Sequence, residues 1–286
     1  MRIAITGTTG RVGQALARHF ADGHEVVALP RKSFDLASPS LGSLLDGLDF
    51  DVLLNPAGLT SLEACEDDPP LASRINAEAP AEMAAWCRER GRKLLHFSTD
   101  YVFDGLEPGL RTEGDEARPL SVYGRTKLAG EQAVLAAGGT VMRVSWVFGP
   151  EKAAFPDLIL DRALAGLELS AVADKYSRPT FTADLCGWVE AWLDAGTPAG
   201  CFHASNGGPV TSWHGMAEEI VAYLAEKGIA TPPLKALSLD EMTAFRAPRP
   251  RHTAMDTRRL GALLETPPRD WREALREHLE SRLISR

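Results

Sequence analysis

The strongest constraint on this chain's fold lies at its start. Arg2-Ile3-Ala4-Ile5-Thr6 is a short apolar strand, and Gly7-Thr8-Thr9-Gly10-Arg11-Val12-Gly13 comes directly after it, running into a helical pattern of Val12, Leu16, His19 and Phe20. Glycines at this spacing permit a tight turn, let the backbone approach a pyrophosphate and seat a helix N-terminus against it. Gly7, Thr9, Gly10, Arg11, Val12 and Gly13 are therefore candidate dinucleotide-binding residues.

Beyond this first helix the chain alternates strand and helix. Glu25–Leu29 reads as a second strand, 40–48 as a short helix, Asp51–Leu54 as a buried strand, and Ser61–Arg90 as largely helical. Lys93–Phe97 and Thr140–Val144 read as two further strands. This order predicts an α/β, Rossmann-like, doubly wound parallel sheet over residues 1–150. Beyond Gly149-Pro150 the pattern is mixed, with helical stretches near 153–166, 182–195, 212–227 and 267–283 and strand-like pieces near 169–173 and 201–204. Residues 151–286 read as a smaller mixed α/β lobe for substrate, some of whose segments are free to return to the first domain. The Gly- and Pro-containing stretch 104–119 reads as a long loop, a length often put to functional use.

At the second strand's tip, Pro30-Arg31-Lys32 carries bases where an NAD site often has an acid. Arg31 and Lys32 favour NADP(H), or else form a solvated turn. Asp35 lies ~20 residues past the glycine turn, so NAD(H) stays possible. Small residues after the third strand, Ala57 and Gly58, leave room for a ligand outside the sheet. Ser98-Thr99-Asp100 sits at the carboxyl end of the next strand. Tyr123 and Lys127, four residues apart, share one helix face, where a nearby ammonium would ease proton release from the phenol. Thr99, Tyr123 and Lys127 are the candidate catalytic set, with Thr99 able to hold a carbonyl oxygen. His96 alternates away from Thr99 and reads as packing.

Taken together, Ser98-Thr99-Asp100-Tyr101-Val102-Phe103, Tyr123-Gly124-x-x-Lys127-Leu128-x-Gly130-Glu131 and Arg143-Val144-Ser145-Trp146-Val147-Phe148 resemble the extended short-chain dehydrogenase/reductases, and within them the dTDP-4-dehydrorhamnose reductase family. The resemblance spans nearly the whole chain. It implies NADPH-dependent reduction of a nucleotide-linked 4-keto-6-deoxysugar, with Thr99, Asp100, Tyr101, Trp146 and Arg178 toward the substrate. Asp35 and Leu36 would lie against the adenine, and Ala57 and Gly58 near the nicotinamide ribose. Asn76 would support the lysine or serve as a buried structural residue. Arg178 belongs to Ser177-Arg178-Pro179-Thr180, which resembles the turn that closes one side of the family's sugar-nucleotide pocket.

Two related activities stay open. Dehydratases of this superfamily carry an Asp-Glu pair where this chain has Asp100-Tyr101, which disfavours dehydration, whereas an NAD-dependent epimerase is not excluded by Tyr123 and Lys127. A non-catalytic regulatory subunit is the third reading, since the regulatory subunit of methionine adenosyltransferase resembles the same family. The chain departs from the family at Pro56 and Gly58, at Ala153-Ala154-Phe155, and at Ala15, where members that share a magnesium-linked dimer have Glu. No metal site is therefore expected, and a homodimer would need another contact.

Composition bounds the partners. The net charge of −8 disfavours nucleic acid and anionic membranes. Cys65, Cys87, Cys186 and Cys201 form no Cys-x-x-Cys pair and read as reduced thiols, and the seven histidines form no metal-binding spacing. A strand beginning at residue 2 leaves no room for a signal peptide, and no apolar run approaches a membrane span, so a cytoplasmic enzyme is expected. Arg246, Arg249, Arg251, Arg258 and Arg259 form either a solvated loop or a clamp for a diphosphate.

Overall fold

The computed structural model describes residues 1–284. Its centre is a six-stranded parallel sheet made of β1 (Arg2–Thr6), β2 (Glu25–Leu29), β3 (Val52–Asn55), β4 (Lys93–Thr99), β5 (Thr140–Val144) and β6 (Gly200–His203). The strands lie in the order β6-β5-β4-β3-β1-β2. The chain builds outward from β1 to β2, returns to place β3 on the other side of β1, and then continues away from it. That reversal opens a crevice at the carboxyl ends of β1 and β3, the place where open α/β sheets bind ligands.

Helices cover both faces, as a fully parallel sheet requires. One face packs against α1 (Arg11–Phe20) and the returning helix Thr182–Asp194, through Leu16, Phe20, Leu185, Val189 and Trp192. The other is covered by α2 (Ala79–Glu89) and α3 (Val122–Ala136), around Met83, Ala84, Cys87 and Val134. Trp192 is wholly buried, and full burial of a large apolar side chain stabilises by roughly 1.5–3 kcal/mol. Residues 182–203 thus rejoin the sheet: the strand-like piece near 201–204 is its outer strand β6, paired with β5 from Gly200 opposite Thr140 to His203 opposite Arg143.

A separate core binds the smaller lobe, where Phe155–Leu164, Trp213–Glu226 and Trp271–Ile284 pack through Ile159, Leu160, Ile220, Leu224 and Leu275. A short parallel pair, Leu169–Val172 with Leu234–Leu237, flanks them. Ser61–Arg90 is one helical stretch in several pieces, including a single π-helical turn at Arg74–Glu78. Its backbone presses closely on α3: a Cβ at Gly130 would stand 2.2 Å from the Asn76 carbonyl oxygen. All four cysteines are buried and free.

Candidate active site

A cavity of about 680 Å³ occupies the crevice. Its floor is the glycine turn. Gly7 has φ +58°, and a Cβ there would sit 3.0 Å from that of Ala57; a Cβ on Gly13 would come within 2.3 Å of the Gly7 carbonyl oxygen. Only glycine lets the first turn of α1 close over the end of β1. No side chain caps the helix and its first turn holds no acid, so its leading N–H groups and the positive end of its dipole stay open to an anion. The residues present therefore fit a dinucleotide.

Thr9, Gly10, Val12, Asp35, Leu36, Ala57 and Gly58 line the same cavity. Arg31 also lines it and pairs with Asp35 at 3.6 Å, whereas Lys32 is exposed and is not a lining residue. Arg11 lines the cavity too, but its guanidinium donates to the carbonyls of Val147 at 3.0 Å, Lys152 at 3.1 Å and Ala153 at 2.8 Å. It ties the glycine turn to the segment that enters the smaller lobe, and Ala153 contributes there through its backbone.

At the far end the cavity wall is formed by Thr99, Asp100, Tyr101, Tyr123, Lys127 and Trp146. β4 ends at Thr99 with Asp100 directly after it, and α3, capped by Ser121 Oγ accepting from the Gly124 N–H, delivers Tyr123 and Lys127 one turn apart. The Tyr123 ring stands edge-on to Tyr101, centroids 5.8 Å apart. Asp100 is buried among hydroxyls: Oδ1 accepts from Thr99 at 3.2 Å, and Oδ2 from Ser145 at 2.8 Å and Thr253 at 2.5 Å. Trp146 adopts φ +43°, a strained conformation for a bulky residue, and leans on Trp213 with centroids 5.6 Å apart.

A nucleotide-sized cleft that joins an open helix N-terminus to a Thr, Tyr and Lys set narrows the field, and comparison with known proteins decides the family. Residues 1–283 match the RmlD substrate binding domain. The chain belongs to that family. Among its curated relatives, a dTDP-4-dehydrorhamnose reductase of Mycolicibacterium smegmatis is 35% identical over 96% of this chain and 84% of its own length. A probable dTDP-4,6-dihydroxy-2-methyloxan-3-one 4-ketoreductase of Streptomyces antibioticus is 36% identical over 97% of this chain and 94% of its own. The crystal structure of a dTDP-4-dehydrorhamnose reductase from Clostridium acetobutylicum superposes with TM-score 0.90, at 29% identity and full coverage of both chains. That of the Bacillus anthracis reductase in complex with NADP gives 0.89 at 27% identity, covering 98% of this chain and 99% of its own.

Within this RmlD-type site several expectations need correction. Burial, followed by the Asp100 carboxylate, pushes the Tyr123 phenol up, against a hydrogen bond with Thr99 that pulls it down; Lys127 is not among the groups that set it. The lysine finds other partners: Nζ donates to the Phe97 carbonyl at 2.6 Å and lies 3.1 Å from His96 Nε2. The spacing put Lys127 on the right helix face, but the strand beneath offers closer polar atoms. His96, read as packing, is thus a neighbour of the site that its position in β4 gave no cue to find. Asn76, wholly buried, exchanges hydrogen bonds with the Leu59 backbone, both at 2.9 Å, and donates to Thr126 Oγ1 at 3.3 Å, so it braces the Gly58 loop against α3.

Arg178 is not a lining residue, because its Nη1 turns to the Met255 carbonyl at 3.4 Å. The arginines of the smaller lobe do not form an open clamp. Arg246 pairs with Asp67 at 2.9 Å, Arg249 with Glu63 at 2.8 Å, Arg251 with Asp240 at 2.8 Å and Arg258 with Asp256 at 2.8 Å, while Arg259 lies over the Phe202 ring. An acidic protein supplies carboxylates to four of the five. Lys152, by contrast, lines the cavity, and nothing in its sequence surroundings marked it.

Proposed function

We propose that this protein is an NADPH-dependent reductase of a nucleotide-linked 4-keto-6-deoxysugar, converting dTDP-4-dehydrorhamnose to dTDP-rhamnose. The observation that carries this reading is the single cleft in which the glycine turn and Thr99, Tyr123, Lys127 and Trp146 face one space. The names of the relatives support the substrate, and the NADP-bound neighbour supports the cofactor.

The nicotinamide supplies a hydride when bound. The α1 N-terminus receives the pyrophosphate, Leu36 and Asp35 the adenosine, and Ala57, Gly58 and Lys127 the nicotinamide ribose. Thr99, whose hydroxyl gives its one proton to Asp100 in the free site, would turn that proton to the C4 oxygen of a bound ketosugar and so draw electron density from the carbonyl. Tyr123 gives its proton to that oxygen as negative charge develops; a phenol pushed up by burial is fully protonated at neutral pH and so ready to act as the acid. Trp146 and Tyr101 shape the sugar site. Consistent with the family's activity, the enzyme acts in the cytoplasm as an extended short-chain dehydrogenase/reductase and has no nucleic-acid partner; a homodimer is compatible with this chemistry. Among the described residues no helix is long and apolar enough to cross a membrane.

Steady-state oxidation of NADPH with dTDP-4-dehydrorhamnose, with identification of the sugar product, tests the proposal. Saturable turnover to dTDP-rhamnose is expected. If the protein instead binds NADPH, reduces no ketosugar and changes the activity of a copurifying enzyme, the regulatory-subunit reading replaces it. Cofactor choice is tested separately. Arg31→Ala is expected to raise KM for NADPH several-fold more than KM for NADH, while Lys32→Ala, outside the cavity, changes either by less than about twofold. Equal effects of Arg31→Ala on both cofactors would show that Arg31 does not read the 2′-phosphate.

A further inference from the structure

A buried line of hydrogen bonds runs from β1 to the candidate lysine. The Ala57 N–H donates to Thr6 Oγ1 at 3.2 Å, and the Thr6 hydroxyl in turn donates to Asn55 Oδ1 at 2.7 Å. That turns the Asn55 amide nitrogen toward His96 Nδ1, at 2.9 Å. Asn55 and His96 are both wholly buried. An amide N–H can only donate, so Nδ1 accepts, and a neutral imidazole then carries its single proton on Nε2. Nε2 faces Lys127 Nζ at 3.1 Å. An ammonium in that position would set donor against donor, whereas a neutral amine offers a lone pair.

We infer that His96, with its tautomer fixed by Asn55, is a positioning residue that presents an N–H to Lys127 and favours the neutral form of that lysine. The inference rests on the reading of Lys127 as part of the reductase site, and adds to it the residue that governs its charge. Phe97, next in β4, accepts from the same nitrogen at 2.6 Å and fixes its place, a bond that either protonation state can make.

The surroundings agree. Burial pulls Lys127 down to about 8, against the pull of Glu131 on its own helix and of Cys65 on the helix Leu62–Asp67. Glu131 is held by Arg143 of β5 and Tyr123 precedes the lysine on α3. Burial, then the lysine's charge, holds His96 well below its ordinary range against an upward pull from the Asn55 backbone, so it stays neutral and has one proton to place. Because the folded value of the lysine is lowered, its charge is present below about pH 8 and lost above it. The alkaline limb of any step that needs the ammonium should track that loss.

Nitrogen NMR of the full-length protein with isotope-labelled histidine tests the tautomer directly, the His96 signals being identified by their loss in His96→Gln. Protonated Nε2 and unprotonated Nδ1 are expected; a proton on Nδ1 overturns the inference. The second measurement tracks the Lys127 Cε signal against pH with labelled lysine. In His96→Gln the carboxamide oxygen can accept from the ammonium, so the proton affinity of Lys127 should rise at least ~10-fold and the alkaline limb of kcat/KM should move up with it. An unmoved lysine titration in a folded His96→Gln protein also overturns the inference, and if that variant does not fold the wild-type tautomer decides. Neither NMR readout needs turnover. Failure of the reductase assay with both NMR results as expected removes the functional reading and leaves the relay, whereas an active reductase with the opposite tautomer removes the relay alone.

Discussion

Tyr123→Phe is expected to lower kcat for the ketosugar by ~10²–10⁴-fold, the range that one positioned general acid contributes. The substitution removes the hydroxyl and little else. The ring stays buried against Tyr101, with Cys65, Ala72 and Val122 around it, so melting temperature and NADPH affinity should be close to wild type. An interaction made in the transition state alone, when lost, lowers kcat and kcat/KM together and leaves KM near its original value. Steady-state kinetics with a fluorescence titration of NADPH separates these quantities. If Tyr123→Phe turns over dTDP-4-dehydrorhamnose at the wild-type rate, another group supplies the proton and the proposed chemistry is wrong.

Asp100→Asn is expected to damage both stability and turnover, for a different reason. The carboxylate serves three elements at once, accepting from Thr99 at the end of β4, from Ser145 just after β5, and from Thr253 in the smaller lobe. Ser177 adds a longer contact at 3.4 Å. A carboxamide keeps the shape but turns one oxygen into a donor, so at least one buried hydroxyl meets an N–H. Losing charge-assisted bonds and leaving a buried group unmatched costs on the order of 3 kcal/mol. That corresponds to a melting temperature lower by ~6–10 °C in a chain of this size. Because Thr99 is one of the hydroxyls that lose their anchor, kcat should fall as well, while NADPH affinity, set at the other end of the cavity, should change little. Calorimetry and NADPH titration of the same preparation provide the check: an unchanged melting temperature would show that the four hydroxyls do not depend on this charge.

Much of the fold was legible along the chain because its signals are local. β2 and β5 have the bounds their apolar runs announced, Glu25–Leu29 and Thr140–Val144, since an apolar run between polar turns suits a strand both in the buried interior of the sheet, as for β5, and at its half-covered edge, as for β2. The glycine turn was legible because a backbone that must pass within 2.3 Å of where a Cβ would stand tolerates one residue type. Strand end and helix periodicity placed Thr99, Tyr123 and Lys127 where they line the cleft, but the short Tyr-x-x-x-Lys spacing gained weight only beside the glycine turn far upstream.

The tertiary structure alone decided which atoms those side chains meet. Lys127 has one position on a helix, but its Nζ goes to Phe97 and His96, contacts that exist only because β4 lies beneath α3. The sixth strand joins β5 across sixty residues of chain, between Arg143 and His203, and no period in the sequence encodes that pairing. The lobe arginines, which cluster in sequence, left a solvated loop and a diphosphate clamp both open; in space Arg249 meets Glu63, 186 residues away, and Arg246 meets Asp67. Charge is counted along a chain, but its partners are chosen by proximity in the folded state, where the buried Arg249 guanidinium takes a carboxylate rather than meet its desolvation cost unpaired, and the exposed Arg246 simply meets the acid that folding brings beside it.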